Sequence, residues 1–79
     1  MGKGRSIGLD VHRDFCQVAI ADRGRARSAG RIATLPQALE LFAQSLASTD
    51  RVVMEATGSA LAIARILEAH VAEVVLAAC

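Results

Sequence analysis

The sequence predicts an α/β fold, in which a five-stranded mixed sheet of order 3-2-1-4-5 carries two helices on one face. Three observations lead to this prediction. Apolar and polar residues alternate through the first third of the chain, a period typical of strands. Two later segments repeat apolar residues every three or four positions, as amphipathic helices do. Each helical segment is followed by a short apolar run, which suits a parallel strand reached through a helical crossover.

The length and composition fit one domain over residues 1–79. Because 53% of the residues are hydrophobic, the chain has enough apolar surface for a core and is not of the disordered class. Residues 1–31 carry seven basic and three acidic side chains, whereas residues 32–79 carry two basic and five acidic ones. The first part is therefore compatible with nucleic acid. The sequence shows no secretory signal, membrane-length apolar run or disulfide framework, so we expect a cytoplasmic protein.

The first strand is predicted over residues 5–11, where bulky apolar residues alternate with small or acidic ones. Its small face ends in the carboxylate of Asp10. A polar turn at residues 12–14 leads into a second strand over residues 15–21, and the two strands form a hairpin. Cys16 lies on the apolar face of the second strand, where we expect a small core residue.

A third strand is predicted over residues 25–32, after a turn that contains a glycine. Simple alternation places Arg25, Arg27 and Arg31 on one side of this strand. Charges on a peripheral strand commonly prevent edge-to-edge pairing. The same side chains could instead contact nucleic-acid phosphates, which supply much of the affinity of nucleic-acid-binding proteins. Both roles stay open.

The first helix is predicted directly after Thr34, because Thr34-Leu-Pro-Gln37 has the spacing of a capping box. Arg51–Glu55 then follows as a buried parallel strand. A second helix is predicted over residues 60–70, and it leads into a last strand at Glu73–Ala77. Because crossovers are right-handed, strands that add in the same direction place both helices on the same face of the sheet. The opposite face stays uncovered.

Two carboxylates are predicted to meet on the uncovered face. Asp10 and Glu55 stand at the C-terminal ends of strands that we expect to be parallel neighbours, the edge at which α/β sheets bind ligands. Carboxylate oxygens are the ligands that Mg²⁺ and Mn²⁺ prefer, and such ions support phosphodiester chemistry. The alternative is that both side chains are solvated strand ends. In the turn after Asp10, His12 and Arg13 either contact phosphate or are ordinary solvated turn residues.

Two short motifs resemble a known family. Ile7-Gly-Leu-Asp-Val-His12 and Val53-Met-Glu-Ala-Thr-Gly58 are similar to motifs of the N-terminal domain of DEDD insertion-sequence transposases, and the likeness extends over about residues 6–77. The resemblance implies a RuvC-like, ribonuclease-H-type fold and a transposase that cuts and joins DNA with Mg²⁺ or Mn²⁺. It implies that Asp10 and Glu55 are the first two acids of the family's Asp-Glu-Asp-Asp set, and therefore catalytic metal ligands. It also implies a guide RNA, a homo-oligomer in the full-length form and a place near the bacterial nucleoid.

The sequence departs from this family in what it lacks. The last two Asp residues of the set belong to a later segment, and the family's C-terminal domain with its serine is missing as well. Residues 59–61 also lack the aromatic side chain that often follows the Ala-Thr-Gly turn in the family. We therefore expect the N-terminal portion of a catalytic domain, as a truncated element or a fragment, that is inactive without the missing C-terminal portion.

Two other classes of function stay open. A non-catalytic domain that binds nucleic acid or a partner protein through the same surface would explain the same features. An actin-like or sugar-kinase-like phosphotransferase also opens with a Gly-x-Asp strand, but that group needs glycine and Thr or Ser after the Asp to hold phosphate. His12-Arg13-Asp14 stands there instead, which counts against the kinase interpretation.

Overall fold

A computed structural model describes residues 4–78 as one five-stranded mixed sheet with two helices. The strand order is β3-β2-β1-β4-β5, with antiparallel pairing of β1 with β2 and of β2 with β3 and parallel pairing of β1 with β4 and of β4 with β5. The predicted strand order is confirmed. Residues 1–3 and 79, the ends of the predicted domain, lie outside the described residues. The elements are β1 Ser6–Val11, β2 Phe15–Asp22, β3 Arg25–Ala33, α1 Pro36–Gln44, β4 Arg51–Glu55, α2 Ala60–Leu67 and β5 Glu73–Ala77.

The hydrophobic core lies between one face of the sheet and both helices. Alternate residues of β1, β2 and β4 are buried, and they form a single cluster with the buried residues of α1 and α2. Cys16 is fully buried in this cluster, as predicted. The six strand residues of the cluster are Ile7, Leu9, Cys16, Val18, Val52 and Met54. We call the other face of the sheet, away from the helices, the open face. No helix within residues 4–78 is long and apolar enough to span a membrane.

The capping box predicted at the first helix is wrong. Helix α1 begins at Pro36 with Leu35 as its N-cap, and no side chain caps it. Thr34 precedes the cap, and its hydroxyl donates a hydrogen bond to the carbonyl oxygen of His12 at 3.1 Å. Because the backbone N–H of Thr34 also donates to the carbonyl of Asp14 at 3.0 Å, this residue ties the end of β3 to the β1–β2 turn rather than starting the helix.

The second helix is shorter than predicted. Helix α2 ends at Leu67, and residues 68–70 form a turn. His70 lies in that turn, where its Nε2 is 2.8 Å from Oε2 of Glu40 on α1. The turn therefore joins the two helices side by side over the core.

The third strand contains a β-bulge that the sequence pattern did not reveal. Gln17 pairs with Arg31, but Ala19 pairs with Ser28, so two residues of β3 stand opposite Val18 alone. Gly30, one of these two residues, has a φ of 91°, a backbone conformation that glycine adopts without steric cost. The extra residue reverses the alternation of side chains along β3.

The prediction that the three arginines of this strand share one side is therefore wrong. Arg31 lies with Gln17 on the open face. Arg27 stands opposite Ile20, which packs against the core, so Arg25 and Arg27 lie on the helix side of the sheet. Strict alternation failed because the bulge lies between Arg27 and Arg31.

The N-terminal ends of the parallel strands are joined through one buried carboxylate. Asp50 precedes β4 and is 1% exposed. Its two oxygens accept hydrogen bonds from Nε and Nη2 of Arg5 at 3.2 and 2.8 Å, and from the backbone N–H groups of Arg5 and Ala47 at 3.1 and 2.9 Å. The carbonyl of Asp50 accepts from the N–H of Ala72 just before β5 at 2.9 Å. One residue thus connects β1, β4 and β5.

The hydrogen bonds between Arg5 and Asp50 shift the pKa values of both side chains. The hydrogen bond from Arg5 is the main reason that the pKa of Asp50 is lowered from 3.8 to about 2, although burial opposes the shift. The same hydrogen bond raises the pKa of Arg5. Asp50 is therefore fully ionised at neutral pH, and its charge contributes to stability there.

We expect Asp50→Asn to lower the free energy of unfolding at pH 7 by about 2 kcal/mol, the equivalent of the pKa shift. Because the pKa is lower in the folded chain, this stabilisation is complete above about pH 4 and is lost as the pH falls through about 2. Urea unfolding followed by circular dichroism between pH 2 and 7 measures the difference between wild type and variant. Glu73→Gln is the control, because the Glu73–Arg51 pair is 3.5 Å long and more than half exposed. An equal loss in both variants would contradict the role given to Asp50.

We expect Gly30→Ala to destabilise the chain by about 1 kcal/mol, because an alanine side chain disfavours the positive φ of the bulge. Gly58→Ala is the matched control, since a Cβ at either position would meet open space and Gly58 does not have a positive φ. Thermal unfolding measures both variants. If the two alanines have the same effect, the bulge does not depend on the backbone conformation of Gly30.

Candidate functional site

One row of side chains crosses the open face at the C-terminal ends of β1 and β4. Arg31 on β3 pairs with Gln17 on β2, and Gln17 pairs with Asp10 on β1. The parallel register of β1 and β4, continued one step beyond its last paired residues, places Asp10 beside Glu55, which pairs with Ala77 on β5. We call these five residues the carboxylate row. The sheet thus brings the two acids singled out in the sequence onto one face, on neighbouring strands.

The surroundings of the two carboxylates are small and open to solvent. Asp10 and Glu55 line a shallow depression of about 380 Å³. Its floor includes Gly8, Ala19 and Val53, which leave room above the centre of the sheet. Because neighbouring strands lie about 4.8 Å apart, the two acidic side chains can approach the same ligand. A bulky, charged backbone such as a phosphodiester can reach them without displacing any large side chain.

Asp10 is held by a contact with the turn that follows its strand. The Asp10 side chain is 71% exposed, and its Oδ2 lies 3.1 Å from Nε2 of His12. The imidazole of His12 stacks on the ring of Phe15, with 4.6 Å between the ring centroids. The guanidinium of Arg31 also lies against Phe15, 4.3 Å from the ring centroid, and its Nε donates to Oε1 of Gln17 at 3.2 Å. A continuous set of contacts therefore links Asp10 to the arginine of the row.

Two members of this set were missed in the sequence, namely Phe15 and Gln17. Their signal was present, because alternation along the second strand places both residues on the face opposite Cys16, and a tight hairpin brings that face beside Asp10. Simple alternation could not show that Arg31 lies on the open face without Arg25 and Arg27, because the bulge changes the alternation before it. Phe15 has no polar atom, so its importance here is that it contacts His12 and Arg31 together.

The other arginines singled out in the sequence do not join the row. Arg13 is exposed in the β1–β2 turn. Arg25 and Arg27 are exposed on the helix side, near the opposite end of the sheet, where Arg25 pairs with Asp22. Of the basic residues predicted to contact nucleic acid, His12 and Arg31 are connected to Asp10 by contacts within residues 4–78.

The chemistry of the donor set fits a hard divalent cation in part. Asp10 and Glu55 offer carboxylate oxygens from neighbouring strands, as Mg²⁺ and Mn²⁺ prefer. Within residues 4–78, no group of three His, Cys, Asp or Glu side chains converges. The remaining oxygen ligands of such an ion would have to come from water, from a substrate phosphate or from another segment.

Compared with models of protein families and with curated proteins, the chain matches none. The resemblance to the transposases therefore rests on the two motifs at residues 7–12 and 53–58.

We expect Asp10→Asn to change the free energy of unfolding by less than about 0.5 kcal/mol in the presence of EDTA, because the side chain is 71% exposed and the amide oxygen can keep the contact with His12. Adding Mn²⁺ should stabilise the wild type and leave the variant unchanged, since an ion that binds only the folded chain raises its stability. Thermal unfolding with and without Mn²⁺ measures both effects. Asp14→Asn removes a carboxylate from the adjacent exposed turn and serves as the control. Equal stabilisation of wild type and Asp10→Asn by Mn²⁺ would contradict a site at Asp10.

Proposed function

We propose that the chain is the N-terminal portion of a RuvC-like catalytic domain of a metal-dependent DNA transposase, which cleaves phosphodiester bonds and transfers the strands. The observation that carries the proposal is the position of Asp10 and Glu55. They stand side by side at the C-terminal ends of neighbouring parallel strands, on the face that the helices leave open. The motifs around these two acids are also the ones that resemble the transposase family.

Each part of the carboxylate row has a role in this proposal. Asp10 and Glu55 hold Mg²⁺ or Mn²⁺, which when bound supplies Lewis-acid activation of a water or 3′-hydroxyl and stabilises the leaving oxygen. His12 orients the Asp10 carboxylate through the 3.1 Å contact. Arg31 offers a guanidinium to a phosphate in the same row, with its Cζ 4.3 Å from the ring centroid of Phe15. Gly8 leaves space for the nucleic-acid backbone to approach.

The proposed metal site needs more ligands than Asp10 and Glu55. Two carboxylates supply only part of the six or so oxygen ligands that each Mg²⁺ takes. The last two acids of the family's set belong to a later segment, so we expect the 79-residue chain alone to be inactive. The missing C-terminal portion, DNA, a guide RNA and further copies of the full-length protein are the partners, and the bacterial cytoplasm at the nucleoid is the location.

A second candidate is a non-catalytic module that binds nucleic acid through the same face. It is favoured by the incomplete donor set within residues 4–78 and by the Arg31–Phe15 contact, which offers both a cation and an aromatic ring. In this case Asp10 and Glu55 are solvated ends of strands, and a cation has no effect on binding.

A nicking and strand-transfer assay in Mg²⁺ distinguishes the two candidates. The 79-residue chain is compared with a chain extended by a downstream segment that contains the two missing Asp residues. We expect no turnover from the short chain and Mg²⁺-dependent turnover from the extended one. Asp10→Ala should abolish the restored activity because it removes a metal ligand, whereas Asp14→Ala in the adjacent turn should retain it.

Two results would overturn the proposal. Turnover by the short chain that survives Asp10→Ala would show that the carboxylate row is not the reaction centre. Inactivity of the extended chain, together with DNA binding that does not respond to Mg²⁺, would favour the non-catalytic module.

A further inference from the structure

We infer that the chain has a second nucleic-acid contact, at the β2–β3 hairpin on the helix side of the sheet, which binds the phosphate backbone apart from the carboxylate row. It consists of Arg23, Arg25 and Arg27, and we call it the hairpin arginine patch. The inference goes beyond the proposed function, because it requires neither a metal nor catalysis. It follows from the exposure of all three side chains and from the pairing and spacing of Arg25 and Arg27 on β3, with Arg23 in the adjacent turn.

The patch is exposed and its charges are available. Every residue from 22 to 31 is exposed, and β3 is an edge strand of the sheet. The ion pairs within residues 4–78 join Arg5 to Asp50, His12 to Asp10, Arg51 to Glu73 and His70 to Glu40. None of them includes an arginine of the patch. A guanidinium without a carboxylate partner can give its whole fork of donors to a phosphate.

One acidic residue lies on the same hairpin. Asp22 pairs across the strands with Arg25 without forming an ion pair with it. Asp22 also acts on Arg5, as one of the charges that raise the pKa of that guanidinium. The hairpin arginine patch therefore has three positive charges against the one negative charge of Asp22.

The spacing within the patch suits a nucleic-acid strand. Arg25 and Arg27 are two residues apart on the regular part of β3 and lie on the same side, so their Cα atoms are about 6.7 Å apart. That distance is comparable to the separation of neighbouring phosphates along one nucleic-acid strand. Ala26 and Ser28 alternate with them and lie on the open face, so no other β3 side chain stands between the two guanidinium groups on the helix side.

The surroundings of the patch argue against a peptide or a membrane as its ligand. A peptide that adds to a sheet edge gains specificity from pockets for its side chains, and a membrane-binding surface inserts apolar side chains beside its charges. The large exposed hydrophobic residues described in the structure are Leu35, Leu41, Leu61 and Leu76, and none of them is in β3 or in the hairpin. The patch offers charge and donors only, which is the chemistry of phosphate contact.

The bulge makes this contact separate from the first one. Arg31 belongs to the carboxylate row on the open face, whereas Arg25 and Arg27 lie on the helix side because two residues of β3 oppose Val18. A strand bound along the patch is thus on the far side of the sheet from Asp10. The two surfaces therefore hold different segments of nucleic acid.

Fluorescence anisotropy with a labelled DNA duplex of about 20 base pairs tests the inference on the full 79-residue chain, at salt concentrations from about 25 to 200 mM. The variant is Arg25→Gln with Arg27→Gln. The control is Arg65→Glu, at an exposed position of α2, which changes the net charge by the same amount. Circular dichroism checks that each variant is folded.

We expect the double variant to bind at least 10-fold more weakly than the wild type at low salt. The slope of log affinity against log salt should fall by about 2, one for each lost phosphate contact. Arg65→Glu should change the affinity less than 3-fold and leave the slope unchanged. A single-stranded DNA and an RNA duplex of the same length show which form of the backbone the patch prefers.

Three results would overturn the inference. One is a double variant with the affinity and slope of Arg65→Glu, since the effect would then be one of net charge alone. Another is a wild-type chain that does not bind the duplex at the lowest salt. The third is competition by polyglutamate or by vesicles containing phosphatidylserine as strong as that by unlabelled duplex, because the patch would then bind anions of any kind. None of these results depends on the nicking assay.

Discussion

The ion pair of Arg5 and Asp50 fixes the position at which the second half of the chain joins the first. The Asp50 carboxylate is buried, hydrogen-bonded four times, and located just before β4. It therefore determines which residue of β4 lies beside which residue of β1. A slip of one residue would turn the apolar side chains of β4 away from the core. The same slip would separate Glu55 from Asp10, so the site at one end of the strands depends on a contact at the other end.

Much of this arrangement could be predicted because it follows from periodicity. Alternation in β1 and β4 indicated the faces of Asp10 and Glu55, and crossover handedness placed both helices on the other side. The role of Asp50 was not predictable in this way, because a polar residue after a helix is typical of a solvated turn and its partner is 45 residues away. The bulge was hidden for a different reason. One glycine among small residues does not indicate whether its φ is positive, yet that angle decides where Arg25, Arg27 and Arg31 lie.

The two groups of charged side chains lie on opposite faces and at opposite ends of the sheet. The carboxylate row crosses one end of the open face, with Arg31 on its outer strand and the acids at its centre. The remaining arginines of β3 lie on the helix side near the opposite end. Beside the row, Phe15 contacts both His12 and Arg31, so one uncharged ring holds the imidazole and the guanidinium in place. In the proposed function, the guanidinium of Arg31 offsets the repulsion between the two carboxylates and a nucleic-acid backbone.

The bulge in β3 also determines which change in length this strand can accept. Because Ala29 and Gly30 together oppose Val18, the strand has absorbed the equivalent of a one-residue insertion, and the residues on both sides keep their partners. A relative that lacked either of these two residues would have a regular ladder. Its arginines would still lie on the same two faces as here. Loss of one residue at this position therefore leaves the geometry of both surfaces unchanged, whereas loss of one residue within a regular part of the ladder would exchange the faces of the residues on one side of it.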